Sequence, residues 1–67
     1  MIVLINGEKR TVTAGSSIQK LLEQLAINPS AVVVERNESV LPRDCFSETF
    51  LVEGDKLEIV QFVGGGN

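Results

Sequence analysis

The last four residues are the part of this sequence best suited to chemistry. Gly64, Gly65 and Gly66 directly follow an apolar segment, and Asn67 comes after them. Because glycine has no Cβ and reaches both signs of φ, such an arm can enter a narrow channel and present a carboxylate to another protein. A carboxylate needs activation, for instance by adenylation, so the pattern favours a group on which a partner enzyme acts. A glycine run is also consistent with a loose chain end.

Other catalytic groups are scarce. The sequence has no histidine, the usual proton carrier near neutral pH, and its one cysteine, Cys45, can form no disulfide within the chain. A lone cysteine is more often a small buried hydrophobic residue than a nucleophile, although Arg43 and Asp44 beside it leave a reactive thiol as an alternative. We therefore expect no metal site, no bound cofactor and no enzymatic activity in this chain.

Length and charge narrow the class of protein. Sixty-seven residues provide one domain, which we place at residues 1–63, with 64–67 as a flexible C-terminal tail. The net charge is -3 and the basic residues are scattered, so nucleic acid is a poor partner. The apolar start, residues 1–5, is too short for a signal peptide or a membrane span. We expect a cytoplasmic protein that does not bind membranes.

The first half of the sequence predicts a hairpin followed by a helix. Residues 1–5 form an apolar strand that ends at Asn6-Gly7, the dipeptide best suited to a type I′ turn, and residues 8–13 return as the second strand. Ser16 and Gln19 have the spacing of a capping box, and Asn28-Pro29 should end the helix. One apolar stripe at helical spacing is formed by Ile18, Leu21, Leu22 and Leu25.

The second half predicts the remaining strands. Residues 31–34 and 40–41 are short strands joined by a polar turn at 36–39, and residues 43–50 have no regular pattern. A tight turn at 53–55 leads into a last strand at 56–63. The fold class is therefore α+β: a mixed sheet of four to five strands, in the order β-β-α-β-(β)-β, packed on one main helix.

Alternation along the first and last strands suggests which side chains meet the helix. The inward set is Met1, Val3, Ile5, Leu57 and Ile59. Val60 and Phe62 then lie on the opposite face, directly before the glycines, and are candidates for partner docking. Completion of the core by these two side chains is the alternative that periodicity leaves open.

Over nearly its full length the sequence resembles the ThiS family of sulfur carrier proteins. The resemblance rests on INGE at 5–8, the helix at 18–25, VVVERN at 32–37, VLPR at 40–43, EGDKLEIV at 53–60 and FVGGG at 62–66. The order and spacing of these segments carry more weight than any one of them. The family implies a β-grasp, or ubiquitin-like, fold.

The resemblance also implies a function. In this family an E1-like, ThiF-like adenylyltransferase uses ATP to activate the terminal Gly-Gly carboxylate, which becomes a thiocarboxylate and donates sulfur to a ThiG-like thiazole synthase in thiamin biosynthesis. Here the pair is Gly65-Gly66, with Gly66 bearing the sulfur and Gly64 extending the arm. Asn67 departs from the family, whose members end in glycine, so we expect a peptidase to remove it first.

Three alternatives follow from the same residues. The first is a sulfur carrier for another pathway, such as molybdopterin, cysteine or methionine synthesis. The second is a noncatalytic ubiquitin-like interaction module, in which the glycines have no chemical role. The third is a thiol enzyme built on Cys45.

Overall fold

The computed structural model of the protein describes residues 1–62. In this part of the chain one α-helix and five strands follow one another, with short 3-10 turns at Pro29–Ala31 and Arg43–Cys45. The strands are β1 (Ile2–Ile5), β2 (Glu8–Thr11), β3 (Val32–Arg36), β4 (Ser39–Leu41) and β5 (Lys56–Gln61), and the helix is α1 (Ile18–Gln24). The predicted element order is confirmed. The predicted extension of the last strand to Val63 and the domain boundary there lie outside the described residues.

The five strands form one mixed sheet in the order β2-β1-β5-β3-β4. The pairing of β1 with β5 is parallel, whereas the other three pairings are antiparallel. The last strand along the chain therefore lies at the centre of the sheet, bonded on both sides. Only the face of β5 towards α1 is covered, because Leu57 and Ile59 are buried whereas Val60 is exposed.

The first hairpin turns as predicted. Ile5 pairs with Glu8, so the connection has two residues, and both have positive φ: 51° at Asn6 and 86° at Gly7. This is the combination that a type I′ turn requires. The second strand ends at Thr11, two residues earlier than predicted, although Val12 still exchanges two backbone hydrogen bonds with Met1.

The start of the helix differs from the prediction. Ser17, not Ser16, is the N-cap, and its Oγ accepts a hydrogen bond from the Lys20 amide at 3.0 Å. Ser16 is buried, its carbonyl accepts from the Leu51 amide, and Gln19 donates its side chain forwards to Glu23. The predicted capping box is therefore wrong, because a long-range backbone bond holds Ser16 outside the helix.

The end of the helix also differs from the prediction. The helix ends at Gln24, and Ala26 takes a left-handed conformation with φ of 59°. The amides of Ala26 and Ile27 donate back to the carbonyls of Glu23 and Leu22, which is the Schellman arrangement. Asn28 therefore does not end α1; it caps the following 3-10 turn through the Ser30 amide.

The core lies between α1 and one face of the sheet. Ile18, Leu21 and Leu22 of the helix are buried, as are Val3, Ile5, Leu57 and Ile59 of the two parallel strands, with Met1 packed at the margin. The predicted inward set is thus confirmed. Further buried side chains come from β3 and from the irregular segment: Val32, Val34, Phe46 and Leu51. A mixed sheet that packs one helix in this way is a β-grasp fold.

Candidate functional site

The candidate site begins where β5 ends. Leu57 and Ile59 are buried, whereas the alternate residues Val60 and Phe62 are 59% and 57% exposed. They lie on the sheet face opposite α1, because successive side chains of a strand point to opposite faces. The predicted orientation is confirmed, and the alternative that they complete the core is wrong. Their role in partner docking stays a prediction.

Neighbouring strands extend this surface. In the antiparallel registers, Val33 lies beside Val60, Glu35 beside Glu58, and Val40 beside Glu35. Val40 is 65% exposed. We call this surface the outer sheet face and define it as Val33, Glu35, Val40, Glu58, Val60 and Phe62. It combines an apolar area with two carboxylates and includes the last described residue, Phe62. Lys56, two residues before Glu58, lies on the same side of the sheet.

The end of β5 is held in place from both sides. On one side β3 pairs with it as far as Val32 and Gln61, and the Phe62 amide still donates to the Ala31 carbonyl at 2.8 Å. On the other side β1 has already turned away, and the Asn6 side chain replaces it. Asn6 Oδ1 accepts from the Ile59 amide at 2.8 Å, and its Nδ2 donates to the Ile59 carbonyl at 3.2 Å.

The start of β5 is fixed by a buried carboxylate, Asp55, which is 3% exposed. Its oxygens accept hydrogen bonds from Arg36 Nε, Asn37 Nδ2 and the Val52 amide at 2.9 to 3.2 Å. Burial by itself raises the pKa of Asp55, but these hydrogen bonds and the charge of Arg36 outweigh it, so the pKa is lowered. Asp55 therefore stays ionised and joins the turn at 52–55 to the end of β3 and the residue that follows it.

Sequence reasoning missed the tertiary roles of Asn6, Asn37 and Asp55. Asn6 was interpreted only as a turn residue, and the turn at 36–39 only as polar. One signal was present: an asparagine at the first turn position of each hairpin, where positive φ is needed, carries a side chain able to bond a neighbouring strand.

The predicted chemical residues divide into two groups. Gly64, Gly65, Gly66 and Asn67 lie outside the described residues, so the arm and its processing stay predictions. Cys45 lies in the 3-10 turn and is exposed, which makes the expectation of a buried cysteine wrong. The reason is that the adjacent Phe46 fills the core position instead.

The described residues also bear on two other kinds of function. No group of three or more His, Cys, Asp or Glu residues in 1–62 is placed to hold a metal ion. No helix within the same residues is long and apolar enough to cross a membrane.

Comparison with known proteins identifies the family. The model of the ThiS family matches residues 3–66, which is nearly the whole chain. The chain belongs to the ThiS family. The match includes both the outer sheet face and the glycines that follow it.

Individual relatives agree with this assignment. The chain is 40% identical over 50 residues to a sulfur carrier protein ThiS of Bacillus subtilis, covering 75% of this chain and 76% of that one. It is also similar to the crystal structure of a thiamine biosynthesis protein (ThiS) from Geobacter metallireducens, with a TM-score of 0.84 and 35% identity over 98% of this chain and all of the other. This likeness confirms the β-grasp fold.

A third relative is much longer. The chain is 40% identical over its whole length to a thiazole synthase of Paramagnetospirillum magneticum, of which it spans 21%. A second thiazole synthase, from Magnetococcus marinus, is matched over 20% of its length. The chain thus spans about a fifth of these two relatives.

Proposed function

We propose that this protein is a cytoplasmic sulfur carrier for thiamin biosynthesis. The reacting group is the carboxylate of Gly66, after removal of Asn67. A carboxylate oxygen attacks the α-phosphate of ATP and pyrophosphate leaves; hydrosulfide then adds to the acyl carbon and AMP leaves, which produces the thiocarboxylate. The observation that carries the proposal is the family match through Gly66, together with an exposed apolar surface immediately before the glycines.

In this proposal the chain performs no catalysis itself. ATP is bound and used by a ThiF-like adenylyltransferase, and the carrier contributes a substrate group and a docking surface. Val60 and Phe62 suit that role because they are exposed and apolar, and covering apolar side chains with a partner stabilises the complex. The hydrogen bonds on both sides of β5 support it further, because they hold Val60 and Phe62 in fixed positions.

We propose a ThiG-like thiazole synthase as the acceptor of the sulfur. Support comes from the two long relatives: a segment similar to this whole chain occurs within proteins that are named thiazole synthase. A carrier-like segment and a synthase that occur in one protein are expected to act on each other. Thiamin auxotrophy of a deletion strain, relieved by the thiazole moiety, tests this pathway against molybdopterin, cysteine or methionine synthesis.

The decisive experiment follows the acyl carbon. The full chain, a chain ending at Gly66 and the same chain with Gly66→Ala are incubated with the ThiF-like adenylyltransferase of the same organism, ATP and a sulfide source. Pyrophosphate release and intact mass report adenylation and replacement of oxygen by sulfur. We expect product from the chain ending at Gly66 alone. In the full chain the Gly66 carbonyl carbon is part of the peptide bond to Asn67 and has no free carboxylate. In the Gly66→Ala chain the added methyl group crowds the reacting carbon. Absence of product from that chain contradicts the proposal and favours a noncatalytic module.

The docking role has a matched control. Val60→Asp and Phe62→Asp should each weaken binding to the adenylyltransferase at least about tenfold, because a carboxylate would be buried against an apolar surface. Val52→Asp places the same charge on a residue of similar exposure, 55%, at the opposite end of β5, and should bind normally. Equal binding by all three variants would contradict docking at Val60 and Phe62.

A further inference from the structure

The end of β5 has a free edge on the side of β1. Along a paired strand, the backbone groups of successive residues point alternately to the two sides. The Phe62 amide points to β3, because it donates to the Ala31 carbonyl, whereas the backbone groups of Ile59 point the other way, to the Asn6 side chain. Gln61 points to the same side as Ile59. Since β1 has ended before this position, the Gln61 amide and carbonyl have no hydrogen-bond partner there within residues 1–62.

A cleft of about 320 Å³ opens beside this free edge. The residues that line it include three buried or half-buried aliphatic side chains, Leu25, Ile27 and Ile59, and the exposed Arg10. Arg10 is the one charged side chain among the described residues of the lining, and the one ion pair within residues 1–62 does not involve it. Glu8 lies on the same face of β2 but does not line the cleft.

The outer edges of the sheet are less suited to pairing with another chain. β2 carries three successive charged side chains, at 8–10, and β4 has only three residues. Charged and very short edge strands are features by which proteins oppose strand addition. At the free edge of β5 the Gln61 side chain is neutral, and aliphatic side chains adjoin it. An added strand is therefore best accommodated at the end of β5.

The proposed reaction requires backbone partners at this place. Gly66 must reach the ATP bound by the adenylyltransferase, so the chain after Phe62 has to pass into the enzyme. Backbone N–H and C=O groups that become buried need hydrogen-bond partners. On the side of β1 the described domain supplies none from Gln61 onwards. An extended segment of the enzyme can supply them, because strand addition pairs the main chains of both proteins.

We infer that the adenylyltransferase adds an extended segment alongside the end of β5, pairs its backbone with Gln61 and places an acidic side chain against Arg10. The inference rests on the proposed function, in which this enzyme binds the carrier. Main-chain hydrogen bonds supply affinity, and the acidic side chain fixes the register of the added segment, because a charged pair must meet at one place. A second copy of the chain fits less well, since its edge strand β2 would bring two basic residues towards Arg10.

Hydrogen exchange tests the pairing without a substitution. The chain ending at Gly66, which is the form proposed to react, is measured free and bound to the ThiF-like adenylyltransferase. The Gln61 amide should exchange rapidly in the free carrier and at least about tenfold more slowly in the complex. The Lys9 amide is the control: it points away from β1 at the far edge of the sheet and should exchange equally fast in both states.

Two outcomes of this measurement would overturn the inference. The first is an exchange rate of the Gln61 amide that does not change in the complex. The second is slow exchange in the free carrier that becomes slower as the carrier concentration rises, which would assign the edge to a second copy of the chain.

Two substitutions with matched controls measure the contribution to affinity by calorimetry. Gln61→Pro removes the amide hydrogen and should raise Kd at least about tenfold, whereas Gln61→Ala keeps it and should bind within about twofold of the unchanged chain. Because no described residue accepts from that amide, proline should leave Tm within about 4 °C. Arg10→Gln should also weaken binding several-fold, whereas Lys20→Gln, at an exposed lysine of α1, should not.

These variants also separate the inference from the proposed function. Normal affinity of Gln61→Pro, with binding still sensitive to Val60→Asp, would overturn strand addition and leave the proposed function intact. Normal affinity of Arg10→Gln would overturn the acidic contact. Failure of the unchanged chain to bind the adenylyltransferase would overturn both proposals.

Discussion

The two ends of β5 are held by the same device in different surroundings. At each end the side chain of an asparagine makes hydrogen bonds to the backbone of the strand. Both asparagines occupy the first position of a two-residue turn and have φ of 51°. Asn37 accepts from the Lys56 amide at the start of the strand, and Asn6 bonds both backbone groups of Ile59 near its end. The starting end adds a buried charge, whereas the other end has none in the described residues.

This difference separates stability from function along one strand. Asp55 connects Arg36, Asn37 and Val52, so its loss would disturb several segments at once. Within the described residues the Asn6 side chain makes hydrogen bonds to Ile59 alone, and the outer sheet face lies beside it. The start of β5 therefore has the stronger anchor, while the far end bears the surface proposed to dock a partner.

Removal of the buried carboxylate should have the largest effect. Asp55→Ala leaves Arg36, Asn37 Nδ2 and the Val52 amide without their acceptor, and we expect a loss of about 3 kcal/mol in the free energy of unfolding. Urea denaturation measures it. Asp44→Ala, at an exposed aspartate, is the matched control and should change stability by less than about 0.5 kcal/mol. Similar losses in both variants would refute the anchoring role.

Acid should reproduce part of this loss. The pKa of Asp55 is lowered in the folded state, so its contribution is complete above the ordinary value of 3.8 and disappears as pH falls through the folded-state pKa. The stability difference between the unchanged chain and Asp55→Asn should therefore be constant near neutral pH and shrink below that value. Urea titrations across this range measure the difference, and a gap that stays constant in acid would contradict the assignment.

The paired substitutions Asn37→Gly and Asn6→Gly compare the two ends directly. Glycine keeps the positive φ, so each change removes only the side-chain bonds. We expect the free energy of unfolding to fall by about 2 kcal/mol in Asn37→Gly, because Asp55 also loses a hydrogen-bond donor. In Asn6→Gly it should fall by about 1 kcal/mol. Hydrogen exchange should accelerate at the Lys56 amide in the first variant and at the Ile59 amide in the second. Equal losses would remove the distinction between the ends.

Local signals in the sequence predicted much of this fold. The Asn6-Gly7 turn and the element order follow from turn chemistry and periodicity, which depend on adjacent residues. Alternation placed Val60 and Phe62 opposite the helix but left open whether they complete the core. The family resemblance supplied the β-grasp arrangement. The helix limits could not be predicted from local signals. The Ser16 carbonyl accepts a hydrogen bond from the distant Leu51 amide, and the turn after Gln24 places Ala26 in a left-handed conformation that favours glycine.

The roles that sequence reasoning missed depend on distant contacts. The Asn6 side chain bonds a residue 53 positions away, and the Asn37 side chain one 18 positions away. No local pattern encodes which of several polar side chains will meet a given backbone group. Cys45 shows the same limit: whether it or Phe46 enters the core depends on the course of an irregular segment.

The smallest predicted effect compares the second residues of the two turns. Gly7 adopts φ of 86° without strain, whereas Glu38 adopts 74° with a Cβ that disfavours this region. Glu38→Gly should therefore stabilise the protein by about 0.5 kcal/mol, the relief of strain exceeding the added freedom of the unfolded chain. Glu38→Ala keeps the strain while removing the carboxylate, so it should give no gain in urea denaturation. A gain in both variants would assign the effect to charge, and the two turns would then be equivalent in backbone energy.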